Sequence, residues 1–114
     1  MVTTTAFVDE AIRVRDVGGL GDDMIASATG AARSTVRDWL ARRSAPTGSR
    51  AQRLVELSSV VDRLAQVMRA DYIPVWLSKP VAALDDDKPL ELIASGEYRR
   101  VARLVGELEY PGAS

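Results

Sequence analysis

The sequence predicts an all-α fold. Apolar residues recur at alternating three- and four-residue spacings, the repeat of one helix face, as in the run Leu54, Leu57, Val61, Leu64 and Met68. No stretch alternates apolar and polar residues with enrichment in β-branched side chains, so strands are not expected. The chain of 114 residues, 46% apolar and 27% charged, suits one domain or two very small domains that share a helix.

The composition excludes most catalytic chemistry. The chain contains no cysteine and no histidine, which rules out disulfides, zinc-thiolate sites, histidine metal ligands, and Ser-His or Cys-His catalysis. An acid/base site on Asp85, Asp86 and Asp87 would need a buried pair with separated pKa values, whereas consecutive loop aspartates are normally solvated. The composition leaves open a metal site built from carboxylates alone, but we expect no enzyme activity, no cofactor and no metal site.

The sequence shows no signal of membrane insertion or secretion. No apolar run approaches the roughly 18–20 residues of a membrane span. Residues 1–5 carry neither a basic segment nor a signal-type apolar stretch. The expectation is a cytoplasmic protein with no membrane partner.

Glycines separate the first two predicted helices. Thr4 or Thr5 is expected to cap the first helix, which ends near Arg15, before the break formed by residues 18–21. Asp22 suits the start of the second helix, because the helix dipole favours acidic side chains in the first turn.

Residues 22–41 form a candidate helix-turn-helix. Gly30 supplies the positive φ that a tight turn requires, and a third helix is expected over residues 32–42. Ala26 is small enough to let the second and third helices cross closely. The inward-facing residues of the third helix are Val36, Trp39 and Leu40.

Arginines are concentrated on and after this third helix. Residues 31–53 hold six arginines and one acid, whereas residues 54–114 hold seven bases and ten acids. Only the first of these segments is therefore suited to meeting phosphates. A set of solvated helix faces would give the same count, and this alternative stays open.

The run from Ala28 to Leu40 resembles the Xre-type helix-turn-helix. This resemblance implies that the third helix lies in the major groove of DNA, with its polar side chains at base edges and the following arginines, including Arg50, at phosphates. One module of this size binds weakly alone, so a homodimer is expected if DNA is a target. The candidate DNA-binding residues are Arg33, Ser34, Thr35, Arg37, Asp38, Arg42 and Arg43.

A long fourth helix is predicted from about Ser49, a suitable cap, to Met68. Val55, Val60 and Val67 lie off its apolar seam, so more than one side is expected to be covered. The helix either joins two subdomains, packs on a second subunit, or packs only within the chain.

Three shorter segments complete the predicted fold. An amphipathic turn spans residues 72–77, a helix with Asp87 near its cap and Pro89 in its first turn runs to Gly96, and a last helix spans residues 97–109.

The order of these C-terminal elements resembles the Xre/MbcA/ParS antitoxins. The shared pattern is a tryptophan-led short helix at residues 75–80, a loop to a leucine, a proline-started helix at 88–93, and a glycine that begins the last helix at 96–101. With the helix-turn-helix, the resemblance covers about residues 10–109. The Gly-Glu-Tyr run at 96–98 is most similar to the MbcA-like branch.

This resemblance implies a type II antitoxin with an Xre-like helix-turn-helix joined by a long helix to a small helical toxin-binding domain. Residues 1–68 are the DNA-binding region and its connecting helix, and residues 69–114 are the toxin-binding domain. The implied partners are a RES-domain toxin that consumes NAD, whose active site is blocked, and operator DNA, through which the shared promoter is repressed. A homodimer within a larger toxin-antitoxin complex is expected.

Aromatic and arginine side chains supply most of the binding energy in protein–protein interfaces such as that between antitoxin and toxin. Trp76 and Tyr98 are also compatible with ordinary core positions. Glu107, Glu109 and the carboxylate of Ser114 are candidate plugs for a pocket that favours anions. The alternative is a stand-alone Xre-like repressor whose C-terminal half only dimerises or senses a ligand. The candidate toxin-binding residues are Trp76, Lys79, Glu97, Tyr98, Arg99, Arg100, Arg103, Glu107 and Ser114.

Overall fold

Helices make up the fold described by the computed structural model, which covers residues 3–112. The seven α-helices in this range are α1 (Thr3–Gly18), α2 (Asp22–Thr29), α3 (Arg33–Leu40), α4 (Gly48–Leu64), α5 (Ile73–Ser78), α6 (Pro89–Ala94) and α7 (Tyr98–Glu109). Short 3-10 helices at Ala70–Tyr72 and Ala82–Leu84 precede α5 and α6. Within residues 3–112 the only β pairing is an isolated bridge between Val81 and Asp87. The all-α prediction is confirmed.

The first helix differs from its predicted bounds at both ends. It already includes Thr4 and Thr5, so neither caps it, and it continues past Arg15 to Gly18. Its last turn lies so close to α4 that a Cβ at Gly18 would be 2.9 Å from Cγ1 of Val61. The helix ends there because Gly19 adopts a left-handed φ of 68°, and its amide donates to the carbonyl of Arg15 at 3.0 Å.

The α2–α3 unit follows the predicted order. Asp22 lies in the first turn of α2, and Gly30 ends the helix with a φ of 78°. The third helix is shorter than predicted, because Arg42 adopts a left-handed φ of 62° soon after Leu40. The amide of Arg43 then donates to the carbonyl of Asp38 at 2.8 Å, which closes the turn.

The long helix α4 begins at Gly48, with Thr47 and not Ser49 at its cap position, and ends at Leu64. The predicted extension to Met68 is wrong, because residues 65–68 form turns. Off the apolar seam, Val60 is buried, whereas Val55 and Val67 remain 37% and 36% exposed. The helix packs within the chain against α1, α2, α6 and α7. The seam residues that are fully buried are Leu54, Leu57, Val61 and Leu64.

The C-terminal helices begin close to their predicted starts. The sixth helix starts with Pro89 after an extended Lys88, and Glu97 precedes α7. Gly96, with a φ of 88°, forms the sharp turn between these two helices.

One continuous hydrophobic core runs through both halves of the described chain. It includes Ile25 of α2, Trp39 of α3, Leu57 of α4 and Val101 of α7, and α6 packs directly on α2. The predicted boundary at residue 68 therefore does not separate two cores, and it stays a prediction about which part binds which partner. No helix in residues 3–112 is long and apolar enough to cross a membrane.

Candidate binding surfaces

The first candidate surface is the outer side of α3 and the arginines that follow it, which we call the α3 surface. On the inner side of the helix, Val36 and Trp39 are buried in the core and hold the helix in a defined orientation. Leu40 is only half-buried. The residues of the α3 surface, all exposed or half-buried, are Arg33, Ser34, Thr35, Arg37, Asp38, Arg42, Arg43 and Arg50.

Three arginines of the α3 surface are held by carboxylates. All six side chains are at least one-third exposed, so each pair contributes only about 0–1 kcal/mol to folding. Among the described residues, Arg33 has no carboxylate within ion-pair distance, and Arg50 only donates to the carbonyl of Gly30 at 3.5 Å. The three pairs are Arg37–Asp22 at 3.2 Å, Arg42–Asp9 at 3.1 Å and Arg43–Asp38 at 3.0 Å.

The second candidate surface consists of two grooves beside α7, which we call the α7 surface. The larger groove, of about 540 Å³, lies between α4 and the α6–α7 turn. The smaller groove, of about 260 Å³, lies between α7 and residues 83–85 in the loop before α6. Six of the nine predicted toxin-binding residues line one or both grooves, namely Glu97, Tyr98, Arg99, Arg100, Arg103 and Glu107.

Arg100 lines both grooves and joins α7 to the loop before α6. Its guanidinium donates to the backbone carbonyl of Leu84 at 3.2 Å, to Glu97 at 3.3 Å and to Asp85 at 3.4 Å. A further carboxylate oxygen, from Asp87, lies 3.6 Å away. Arg100 is thus engaged by its own chain, and it shapes the surface by positioning this loop.

The loop that Arg100 holds has an unusual backbone. Asp85 and Asp86 both adopt left-handed conformations, with φ of 57° and 65°. The amide of Val81 donates to the carbonyl of Asp87 at 3.2 Å, and the amide of Asp86 donates back to Val81 at 3.0 Å. Within residues 3–112 no group of three or more acidic side chains is placed to hold a metal ion.

The wall of the larger groove is supplied by α4, and none of the α4 residues in it is among the predicted toxin-binding residues. Arg53 and Glu56 form an ion pair of 2.6 Å, and both side chains are mostly buried. Gly96 lies against Arg53, since a Cβ there would be 3.4 Å from Nη2. Gln52 completes this wall. The three-residue spacing of Arg53 and Glu56 indicates a helical pair, but nothing local indicates that α7 lies beside it.

Two of the predicted toxin-binding residues on α7 are unengaged arginines. Arg99 and Arg103 are exposed, and neither has a carboxylate within ion-pair distance among the described residues. Glu107 is exposed on the same helix. Tyr98 is half-buried, with its hydroxyl 3.4 Å from Oγ of Ser59. Arg99, Arg103 and Glu107 are therefore open to a partner.

The end of α7 is fixed to α4 by an ion pair. Nη2 of Arg63 lies 2.6 Å from Oε1 of Glu109, and Nε lies 3.2 Å from both carboxylate oxygens. Hydrogen bonding from Arg63 holds the pKa of Glu109 below its ordinary value. The same contact raises the pKa of Arg63. Because Glu109 is engaged in this way, it is a less suitable plug than Glu107.

The remaining predicted toxin-binding residues lie outside the two grooves. Trp76 is a core residue of α5 with 7% of its surface exposed, so little of it is available to a partner. Lys79 is exposed and donates to the hydroxyl of Tyr72, with Nζ 5.1 Å from the centre of that ring. Ser114 lies outside the described residues.

Comparison with known proteins identifies the family. The chain is 36% identical over 87 residues to the mycobacterial cidal antitoxin MbcA of Mycobacterium bovis and of Mycobacterium tuberculosis, an alignment that covers 76% of this chain and 77% of the relative. No model of a protein family matches the chain. A chain of the crystal structure of the M. tuberculosis MbcT-MbcA toxin-antitoxin complex has the same fold, with a TM-score of 0.83 and 29% identity over 94% of this chain and 96% of that chain. The chain therefore belongs to the family of the MbcA antitoxins and is, as the sequence predicted, a regulator rather than an enzyme.

Proposed function

We propose that this protein is the antitoxin of a type II toxin-antitoxin pair. It binds and neutralises a toxin through the α7 surface, and it represses its own operon through the α3 surface. The observation that carries the proposal is the likeness to a chain of a toxin-antitoxin complex over 94% of the protein, which is not confined to either half. A cytoplasmic location, where toxin and operator are both present, completes this proposal.

The proposed toxin is a RES-domain protein that consumes NAD, as the sequence resemblance implies. A pocket for a dinucleotide must attract phosphates, so its lining carries positive charge. Glu107 is exposed beside the smaller groove and is suited to face such a pocket. Arg99 and Arg103 are suited to pair with carboxylates at its rim, because guanidinium binds carboxylate in bidentate fashion. Bound in this way, the antitoxin would cover the opening and exclude NAD.

The proposed DNA contacts lie on the α3 surface. In a helix-turn-helix the second helix of the unit enters the major groove, and Arg33 at the start of α3 is exposed and has no carboxylate partner among the described residues. We expect Arg33 to read a base edge, with guanine as the favoured base. Arg42, Arg43 and Arg50 would hold phosphates. A homodimer would place two such surfaces on the two halves of an operator.

The two surfaces are tested separately by one pair of matched substitutions. Arg103→Ala and Arg33→Ala each remove an exposed arginine that has no carboxylate partner in the described part of the chain. We expect Arg103→Ala to weaken toxin binding by about 5- to 30-fold, as for a central interface arginine, and to leave DNA binding unchanged. Arg33→Ala should weaken operator binding by about 5- to 100-fold and still neutralise the toxin.

The assay is co-expression with the toxin encoded by the neighbouring reading frame, followed by affinity measurements on the purified chain and complex. Failure to rescue growth and to co-purify with that toxin would refute the antitoxin proposal. If operator binding persisted in that case, the protein would be a stand-alone repressor. Loss of both functions in one variant would indicate a failure of folding, which circular dichroism would detect.

A further inference from the structure

The carboxylates of the α3 surface bear on how the protein discriminates among DNA sequences. We infer that Asp9, Asp22 and Asp38 weaken the attraction of the α3 surface for DNA phosphates, so that non-specific binding is low and base readout supplies a larger share of the affinity. This inference rests on the proposed DNA binding. It gives a role in specificity to Asp9 and Asp22, which are not among the candidate DNA-binding residues.

The fold brings two of these carboxylates to the arginines from distant parts of the chain. Asp9 comes from α1, 33 residues before its partner Arg42, and Asp22 comes from the first turn of α2, 15 residues before Arg37. The arginine-rich segment 31–53 contains only one acid of its own, Asp38. The positive charge of the folded surface is therefore much lower than the sequence of that segment indicates.

The paired arginines differ from the unpaired ones in what a phosphate must do to bind them. To bind Arg42 or Arg43, a phosphate must replace a carboxylate or tolerate its repulsion at short range. Any DNA group that approaches Arg37, including a phosphate in a non-specific complex, meets the same competition from Asp22. Arg33 and Arg50 meet no such competitor among the described residues. All three ion pairs are exposed to solvent. A phosphate that is held in a fixed position can therefore replace the carboxylate beside the arginine, whereas the replacement is unfavourable for a loosely held phosphate.

This difference affects non-specific binding more than specific binding. Non-specific affinity comes almost entirely from phosphate neutralisation and the release of counterions, whereas base contacts carry the sequence information. Weakening the phosphate term alone raises the ratio of specific to non-specific affinity, which is the quantity that matters among many competing sites.

The test measures binding of the full chain to a short fluorescein-labelled duplex of random sequence by fluorescence anisotropy. Asp9→Asn and Asp22→Asn should each tighten binding by about 1.5- to 5-fold, the range of equilibrium constants that corresponds to one exposed ion pair. The dependence on salt, followed between about 50 and 200 mM, should become steeper in both variants. The gain from Asp22→Asn should disappear when Arg37 is also replaced by alanine.

The matched control is Asp86→Asn, which makes the same chemical change and the same change in net charge. Asp86 is exposed, has no ion-pair partner among the described residues, and adopts a left-handed backbone that asparagine accepts. We expect its affinity for the duplex to equal that of the wild type. Asp22→Asn also removes an acid that stabilises the first turn of α2, so the melting temperatures of the variants are compared with that of the wild type. Asp9 lies in the interior of α1, and Asp9→Asn therefore serves as the second variant.

Three results would overturn the inference. An equal gain from Asp86→Asn would show that net charge alone is responsible. Unchanged affinity in Asp9→Asn and Asp22→Asn, with a wild type that binds the duplex, would remove the role of the carboxylates and leave the proposed DNA binding intact. No binding by any of the proteins at low salt would refute DNA binding itself, and the inference with it.

Discussion

Replacing Arg100 by alanine tests whether this residue builds the α7 surface or contacts a partner directly. The hydrogen bond to the carbonyl of Leu84 is charge-assisted and partly buried, and we assign it about 1 kcal/mol. Glu97 and Asp87 are about half exposed, so each pair adds about 0.3 kcal/mol. Asp85 is 93% exposed and adds nothing measurable. The expected loss is about 1.5 kcal/mol, a decrease of about 6 °C in melting temperature.

The assay is urea and thermal unfolding followed by circular dichroism, together with toxin affinity. Arg100→Lys should lose most of the same stability, because lysine lacks the planar fork that reaches several acceptors at once. Arg99→Ala is the matched control, because Arg99 is the exposed neighbour of Arg100 and makes no ion pair among the described residues. The free energy of unfolding of Arg99→Ala should differ from that of the wild type by less than about 0.5 kcal/mol. If Arg100→Ala lost toxin binding with wild-type stability, Arg100 would be a direct contact and the structural role would be refuted.

Two further substitutions test the packing of α4 against its neighbours. Gly18→Ala would place a Cβ 2.9 Å from Val61, so we expect urea unfolding to show a net loss of about 1–2 kcal/mol in the free energy of unfolding, although alanine normally favours a helix over glycine by about 1 kcal/mol. The loss should be smaller in a Val61→Ala background, and a Gly18→Ala variant more stable than the wild type would contradict the packing argument. Because Arg63 lowers the pKa of Glu109 below its ordinary 4.5, the stability from this pair is complete above that pH and is lost as the pH falls through the lowered value. Between about pH 7 and pH 3 the melting temperature of the wild type should therefore fall more than that of Glu109→Gln, and parallel curves would exclude the contribution.

The elements that were predicted correctly depend on short-range features of the chain. The turn at Gly30 needs a residue that accepts a positive φ, and the start of α6 at Pro89 suits a residue with a fixed φ and no amide hydrogen. The burial of Leu57 and its neighbours on α4 follows from helical periodicity alone. Such features act within a turn or two of the backbone, so the sequence contains them in full.

Helix ends and the surroundings of single side chains were less predictable. The long helix α4 ends at Leu64 and not at Met68, and the close contact of Gly18 with Val61 joins residues far apart in the chain. Trp76, a candidate anchor in the sequence, belongs to the shared core. Periodicity indicates that an aromatic residue lies on an apolar face, but it does not indicate whether the chain itself covers that face.

By itself, the sequence determined the helical class, the family resemblance, and the cluster of candidate residues on α7, which are neighbours along one helix. Only the tertiary structure decided which charges meet. It set Arg53 and Glu56 of α4 in the wall of a groove with α7, and it brought Asp9 to Arg42. Charge pairing depends on distances of a few ångströms between side chains, and between separate helices these distances are set by how the helices pack rather than by their order along the chain.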